Sequence, residues 1–185
     1  MTRTLMMATA AAAAMMAATP SFAQTGGNLT PPPGSQQRTA MDMRGDTKDT
    51  YVTMAGASDL YEIQSSQLAL ERAQSEDVRR FAQMMITDHT GTTQRIMAAA
   101  RDLNMNPAPP KLMGEQAQMI QKLQTLSGAE FDKEYINQQR MAHKMALDLH
   151  SNYAQGGDAP QLQQVAKSIV PAIKQHGDML EGMKR

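Results

Sequence analysis

From Tyr51 onward the apolar residues of this chain recur at intervals of three and four, with no strand-like alternation. Residues so spaced can be buried only on helix faces. Over residues 78–103 one such line runs Val78, Phe81, Met85, His89, Thr92, Ile96 and Leu103, and over 162–183 another runs Leu162, Val165, Ile169, Ile173, His176, Leu180 and Met183. A third carries Asp132, Ile136, Gln139, His143, Ala146 and Leu147. Three of the four histidines therefore point at a packed interior, where an imidazole needs a hydrogen-bond partner or a metal.

Start and stop signals agree with this periodicity. A first helix over about 51–73 carries Ala55, Ser58, Ser65, Ser66 and Ala69 on one line, broken only by Glu62. Such small residues let a neighbouring helix close in and enclose the carboxylate. Ser75 is placed to cap a second helix, with Glu76 and Asp77 at its positive end, ending near Leu103 before the proline-rich stretch 104–110. A shorter helix follows over about 113–126. Ser127-Gly128-Ala129-Glu130 has the form of a capping box opening the next, which stops at Gly156-Gly157. Asp158 and Pro160 open the last, and Pro171 should bend it about a turn before His176. Four long helices with short connections predict an all-α four-helix bundle with one extra short helix.

Arg3, an apolar run over 5–18 and Thr19-Pro20-Ser21-Phe22-Ala23 have the form of a signal peptide, 1–23, cleaved after Ala23. The mature chain would then be periplasmic, with a flexible Pro/Gly/Thr-rich tether over 24–50 and the helical domain over 51–185. No cysteine is present, which excludes disulfides, thiolate metal sites, cysteine nucleophiles and a lipidated-cysteine anchor. The balance of 18 basic and 18 acidic residues argues against a nucleic-acid or anionic-membrane surface. With no tryptophan, core volume must come from aliphatic residues and methionine. Met41-Asp42-Met43 is the best local hint of a thioether copper site, but it lies in a polar stretch without a repeat, so the methionines read as gap-fillers.

The inward polar residues Glu62, Asp88, His89, Asp132, His143 and His176 give each long helix one or two groups for a shared centre. Imidazole and carboxylate together suit Fe, Mn or Zn. The di-iron pattern Glu-x-x-His is absent, because Ile86, Arg140, Leu147 and Ile173 stand three residues before the four histidines. The leading expectation is therefore a His–carboxylate network that fastens the helices, with metal ligation as the alternative. His150, near a helix end, reads as an imidazolium against the helix dipole, and Tyr61, Tyr135 and Tyr153 read as interfacial residues with solvated hydroxyls. No nucleophile elbow or phosphate-cradling glycine loop occurs, so nothing reads as catalytic.

Four motifs carry a resemblance. Ala57-Ser58-Asp59-Leu60-Tyr61-Glu62-Ile63, then Phe81-Ala82-Gln83-Met84-Met85-Ile86-Thr87-Asp88-His89, then Leu126-Ser127-Gly128-Ala129-Glu130-Phe131-Asp132 with Ala142-His143, and finally Val170-Pro171 with His176, occur in order. Together they resemble a family of exported bacterial proteins of unassigned function, often labelled outer-membrane proteins and placed among ferritin-like four-helix bundles. The resemblance implies a ferritin-like fold and an envelope location, and it marks Glu62, Asp88, His89, Asp132, His143 and His176 as signature positions. Its context suggests an envelope-stress or interaction role with a partner in that compartment. Neither barrel strands nor a lipid anchor are found to support an outer-membrane label. Gly91, among Thr90, Thr92 and Thr93, leaves weak helix formers just past His89.

Overall fold

A computed structural model describes residues 45–183. They form five helices: α1 (Lys48–Arg72), α2 (Glu76–Asp102), α3 (Gly114–Gln124), α4 (Gly128–Gly156) and α5 (Pro160–Gly182). The signal peptide and most of the tether, including Met41 and Met43, lie outside the described residues. Helix α1 starts at Lys48, inside the stretch expected to be tether, because Thr47 caps it by accepting from the Thr50 N–H at 3.3 Å. Ser75 caps α2 as expected, accepting from the Val78 N–H at 3.5 Å.

Two expected caps are replaced. Ser127 makes no side-chain capping bond; the chain enters α4 through Gly128 at φ +63°, which glycine reaches without strain. Asp158 does not cap α5 either. Its carboxylate accepts from the Tyr153 hydroxyl at 3.0 Å, and Pro160 opens the helix from Ala159. Helix α5 runs through Pro171 as one element.

The four long helices form a square in which α1 neighbours α2 and α4, and α5 neighbours α2 and α4. Contacts fix the directions. Asp59 meets His89, Tyr61 meets Gln138, His143 meets His176 and Asp88 meets His176, so α1 and α5 run one way and α2 and α4 the other. Parallel α2 and α4 require a connection that travels the length of the bundle. That connection contains α3, which packs on α1 and α4 and is tied there by the Lys122–Glu134 ion pair at 2.9 Å and a Gln138 amide bond to the Met119 carbonyl at 3.3 Å.

Two apolar clusters fill the bundle ends. One gathers Tyr51, Val52, Ile96, Leu149, Tyr153 and Leu162; the other gathers Val78, Phe81, Met85, Phe131, Tyr135 and Leu180. In the first, Tyr51 stacks on Tyr153 with centroids 3.9 Å apart. The buried tyrosines are not solvated at their hydroxyls as expected: Tyr61 donates to Gln138 Oε1 at 2.9 Å and Tyr135 pairs with Ser66 Oγ at 2.8 Å. His150 also departs from expectation. It is 2% exposed, faces Tyr51 Oη at 2.9 Å through Nδ1, and is held neutral because burial, with the charges of His89 and Arg95, lowers its pKa to about 3.

Gly157 permits the tight end of α4. A Cβ there would lie 2.6 Å from the buried, stacked Tyr153 ring, whereas one on Gly156 meets nothing within 4 Å. Gly157→Ala is expected to cost about 1–3 kcal/mol through overpacking. Gly156→Ala should lose under about 0.5 kcal/mol, as for a surface substitution. Thermal melts of the two variants check this; equal melting temperatures would refute it.

Candidate metal centre

Between the two apolar clusters lies a polar layer built from all four long helices. Small residues on α1 create it: with Ser65 and Ser66 fully buried, α4 approaches closely enough for Gln139 Nε2 to donate to Ser65 Oγ at 3.0 Å. Glu62, on the same face one turn earlier, is enclosed at 0% exposure.

The three inward histidines share one pattern. His89 Nδ1 lies 2.7 Å from Asp59 Oδ1, and Thr93 donates to the other oxygen of Asp59 at 2.9 Å. His176 Nε2 lies 2.9 Å from Asp88 Oδ2, and His143 Nδ1 lies 2.9 Å from the Gln139 carbonyl. Each of these partners accepts, so in each ring the outward nitrogen carries the hydrogen, an assignment that follows from the partners. The remaining nitrogens are His89 Nε2, His143 Nε2 and His176 Nδ1. One nitrogen from each ring lies within 4.8 Å of the others, and His143 Nε2 faces His176 Nδ1 at 3.4 Å. Two nitrogens bound tetrahedrally to one ion at 2.0–2.1 Å are themselves about 3.3–3.4 Å apart. The layer can therefore present three imidazole donors to one point.

Glu62 adds a carboxylate with unspent capacity. Neither oxygen has a hydrogen-bond partner among the described residues; His143 Nδ1 is 3.6 Å away and bonded to the Gln139 carbonyl, and the Gln139 amide donates to Ser65. His89 Nε2 is likewise buried and unpartnered. Buried polar atoms normally find partners, so this concentration of unsatisfied atoms in one layer calls for an explanation.

Electrostatics separate the groups. Burial lowers the His143 pKa to about 3, helped by the charge on His89, and burial also lowers that of His176. Both stand as neutral donors. Burial opposes charge on His89 too, but the Asp59 hydrogen bond and the carboxylates of Glu62, Asp59 and Asp88 outweigh it and raise its pKa. Burial pushes the Glu62 carboxyl up to about 7 against the opposing pull of His89 and Gln139. The Phe81 ring lies against the cluster, its centroid 6.1 Å from His143 and 6.3 Å from His176.

Five of the six expected residues meet here, namely Glu62, Asp88, His89, His143 and His176; the sixth does not. Asp132 sits in the first turns of α4, where its carboxylate accepts from the Gln74 and Ser75 N–H groups at 3.1 and 2.8 Å and closes the corner between α1 and α2. It precedes His143 by eleven residues, about 16 Å along the helix. Sequence reasoning missed Asp59. The available signal was its spacing: three residues before Glu62, it shares the inward face of α1. On the other side, Asp88, His89 and His176 line a cleft of about 310 Å³ between α2 and α5.

A family model described as "Domain of unknown function (DUF4142)" matches residues 30–183. No curated protein matches the sequence. Among solved structures, the chain is similar to a DUF305 fragment from Deinococcus radiodurans, with TM-score 0.64 and 17% identity over 73% of this chain and 93% of that one. It is similar to CopM in the Cu(II)-bound form, with TM-score 0.64 and 19% identity over 74% of this chain and 94% of that one. A DUF305 protein from Streptomyces coelicolor gives TM-score 0.59 and 15% identity, covering 73% and 90%. At these identities the likeness is one of fold.

Proposed function

The chain belongs to the DUF4142 family of unassigned function, and from that premise and its converging imidazoles we propose that it binds a divalent transition metal in the bacterial envelope. The observation that carries this reading is the division of labour within each ring. One nitrogen is fixed by an outer acceptor and the other turns toward the common centre, which is how outer partners orient metal-bound histidines. The layer's unpartnered atoms, His89 Nε2 among them, favour ligation over pure fastening, and the Glu62 carboxylate, on the outward edge of His143, stands beside the three donors as a counter-charge. Fastening still has its place: the Asp59–His89 bond joins α1 to α2 and the Asp88–His176 bond joins α2 to α5, and both hold the donors in position.

Three imidazoles suit Zn, Fe and Cu(II), with Mn weakest and Cu(II) tightest in the usual affinity order. The fold shared with CopM, solved in Cu(II)-bound and Cu(I)-bound forms, makes copper the first ion to test. Parallel α2 and α4 joined by one long crossover support the ferritin-like placement, although the donor set is not that of a di-iron site. The signal-peptide form of the N-terminus supports export, and no helix among the described residues is long and apolar enough to cross a membrane. An envelope-stress or interaction role rests on family context alone.

The test uses tag-free protein from a periplasmic extract. Its N-terminal residue should be Gln24, and elemental analysis should find about one metal per chain. Adding Cu(II) or Zn(II) to chelator-treated protein at a hundredfold excess over Kd should stabilise it by about 2.7 kcal/mol, raising the melting temperature by roughly 5–10 °C. Substoichiometric metal with no such rise would end the proposal.

A further inference from the structure

The cleft between α2 and α5 opens on two of the three histidines and carries a positive charge at its mouth. Arg95 is exposed, seven residues beyond Asp88 on the same face of α2. Its side chain reaches back toward the histidines: Nη2 donates to Thr92 Oγ1 at 3.4 Å, one turn past His89. Nη1 donates across the cleft to Ser168 Oγ on α5 at 3.3 Å. Both partners are hydroxyls, so among the described residues the guanidinium is braced over the cleft without a carboxylate to neutralise it. At about 310 Å³ the space is at the small end for a ligand site, and Ile169 and Ile173 make one wall apolar. The one carboxylate in the lining, Asp88, is already engaged with His176 Nε2.

We propose that this cleft binds a small anion, held by the Arg95 guanidinium and the Thr92 hydroxyl and directed at the open side of the metal between His89 and His176. The inference rests on the histidine centre holding a metal. It assigns that metal a reachable coordination position with anion selectivity, as distinct from a closed structural site, which keeps no open position. Arginine suits the task because its planar fork matches polyatomic anions and stays charged at all relevant pH.

Azide is the probe, titrated into the Cu(II)-loaded full chain and read by the azide-to-copper charge-transfer absorption. Wild type should show a saturable band. Arg95→Gln should weaken the azide Kd about tenfold or more, the worth of one charge-assisted hydrogen bond, while keeping one copper per chain. Arg95→Lys should recover part of the loss. Copper uptake without an azide band, or the same azide Kd in wild type and Arg95→Gln, overturns the anion site and leaves the metal centre standing. Failure of wild type to take up copper, zinc or iron overturns the metal centre itself, and this inference with it.

Discussion

Asp59→Ala is expected to cost the metal-free protein about 3 kcal/mol or more, the loss seen when one partner of a buried ion pair is removed. The carboxylate is 1% exposed and both of its oxygens are used, one by His89 Nδ1 at 2.7 Å and one by Thr93 Oγ1 at 2.9 Å. Alanine leaves an imidazole whose second nitrogen is also buried and unpartnered. Either His89 stays charged without its main counter-ion or it gives up its proton, and both raise the free energy of the folded state. Asp132→Ala is the comparison. Its carboxylate serves two backbone N–H groups at an exposed corner, so its loss should resemble that of a helix cap, about 1 kcal/mol. Urea midpoints at neutral pH separate the two, and an Asp59→Ala loss no larger than that of Asp132→Ala would remove Asp59 from the centre.

Glu62→Gln should move stability the other way. The folded carboxyl titrates at about 7, raised from 4.5 chiefly by burial. A folded-state pKa above the unfolded one means the group's favourable contribution is complete below about pH 4.5. It is then lost as pH rises to about 7. Glutamine does not ionise, so the variant should match wild type near pH 4.5 and exceed it above pH 7, by about 3 kcal/mol at most from a shift of this size. Metal affinity should fall at the same time, since an anionic counter-charge beside the three imidazoles has been replaced by a neutral amide. Urea denaturation of chelator-treated protein at pH 4.5 and 8 reads the first effect and metal titration the second. A Glu62→Gln protein less stable than wild type at pH 8 would identify Glu62 as a fastener.

Much of the bundle was legible because local signals and periodicity pointed the same way. Ser75 and the glycine stop after α4 mark ends that the structure keeps, and the lines through His89, His143 and His176 face inward as their spacing requires. What periodicity cannot supply is height along the bundle. Asp132 and His143 share a line, yet one lies at the end and the other in the middle, and only the packing of four helices at a common level decides which groups meet. His150 shows the same limit: near the end of α4 its position reads as that of an imidazolium against the helix dipole, but Tyr51 on α1 stands at that level and covers it. Asp59 is hard to read for a different reason: the small-residue line marks Glu62 as enclosed, whereas Asp59 stands on the neighbouring line of the same face.

The centre also divides the chain in an informative way. Asp59, Glu62, Asp88 and His89 belong to the first helical hairpin, whereas His143 and His176 belong to the second, so neither half holds three imidazoles. An ion shared by His89 and His176 would be a reversible cross-link closing a loop of about ninety residues. In chain-entropy terms this is the class of constraint a long-range disulfide imposes, about 4–5 kcal/mol taken from the unfolded ensemble. A protein without cysteine would thus have a long-range staple that responds to metal supply instead of redox state.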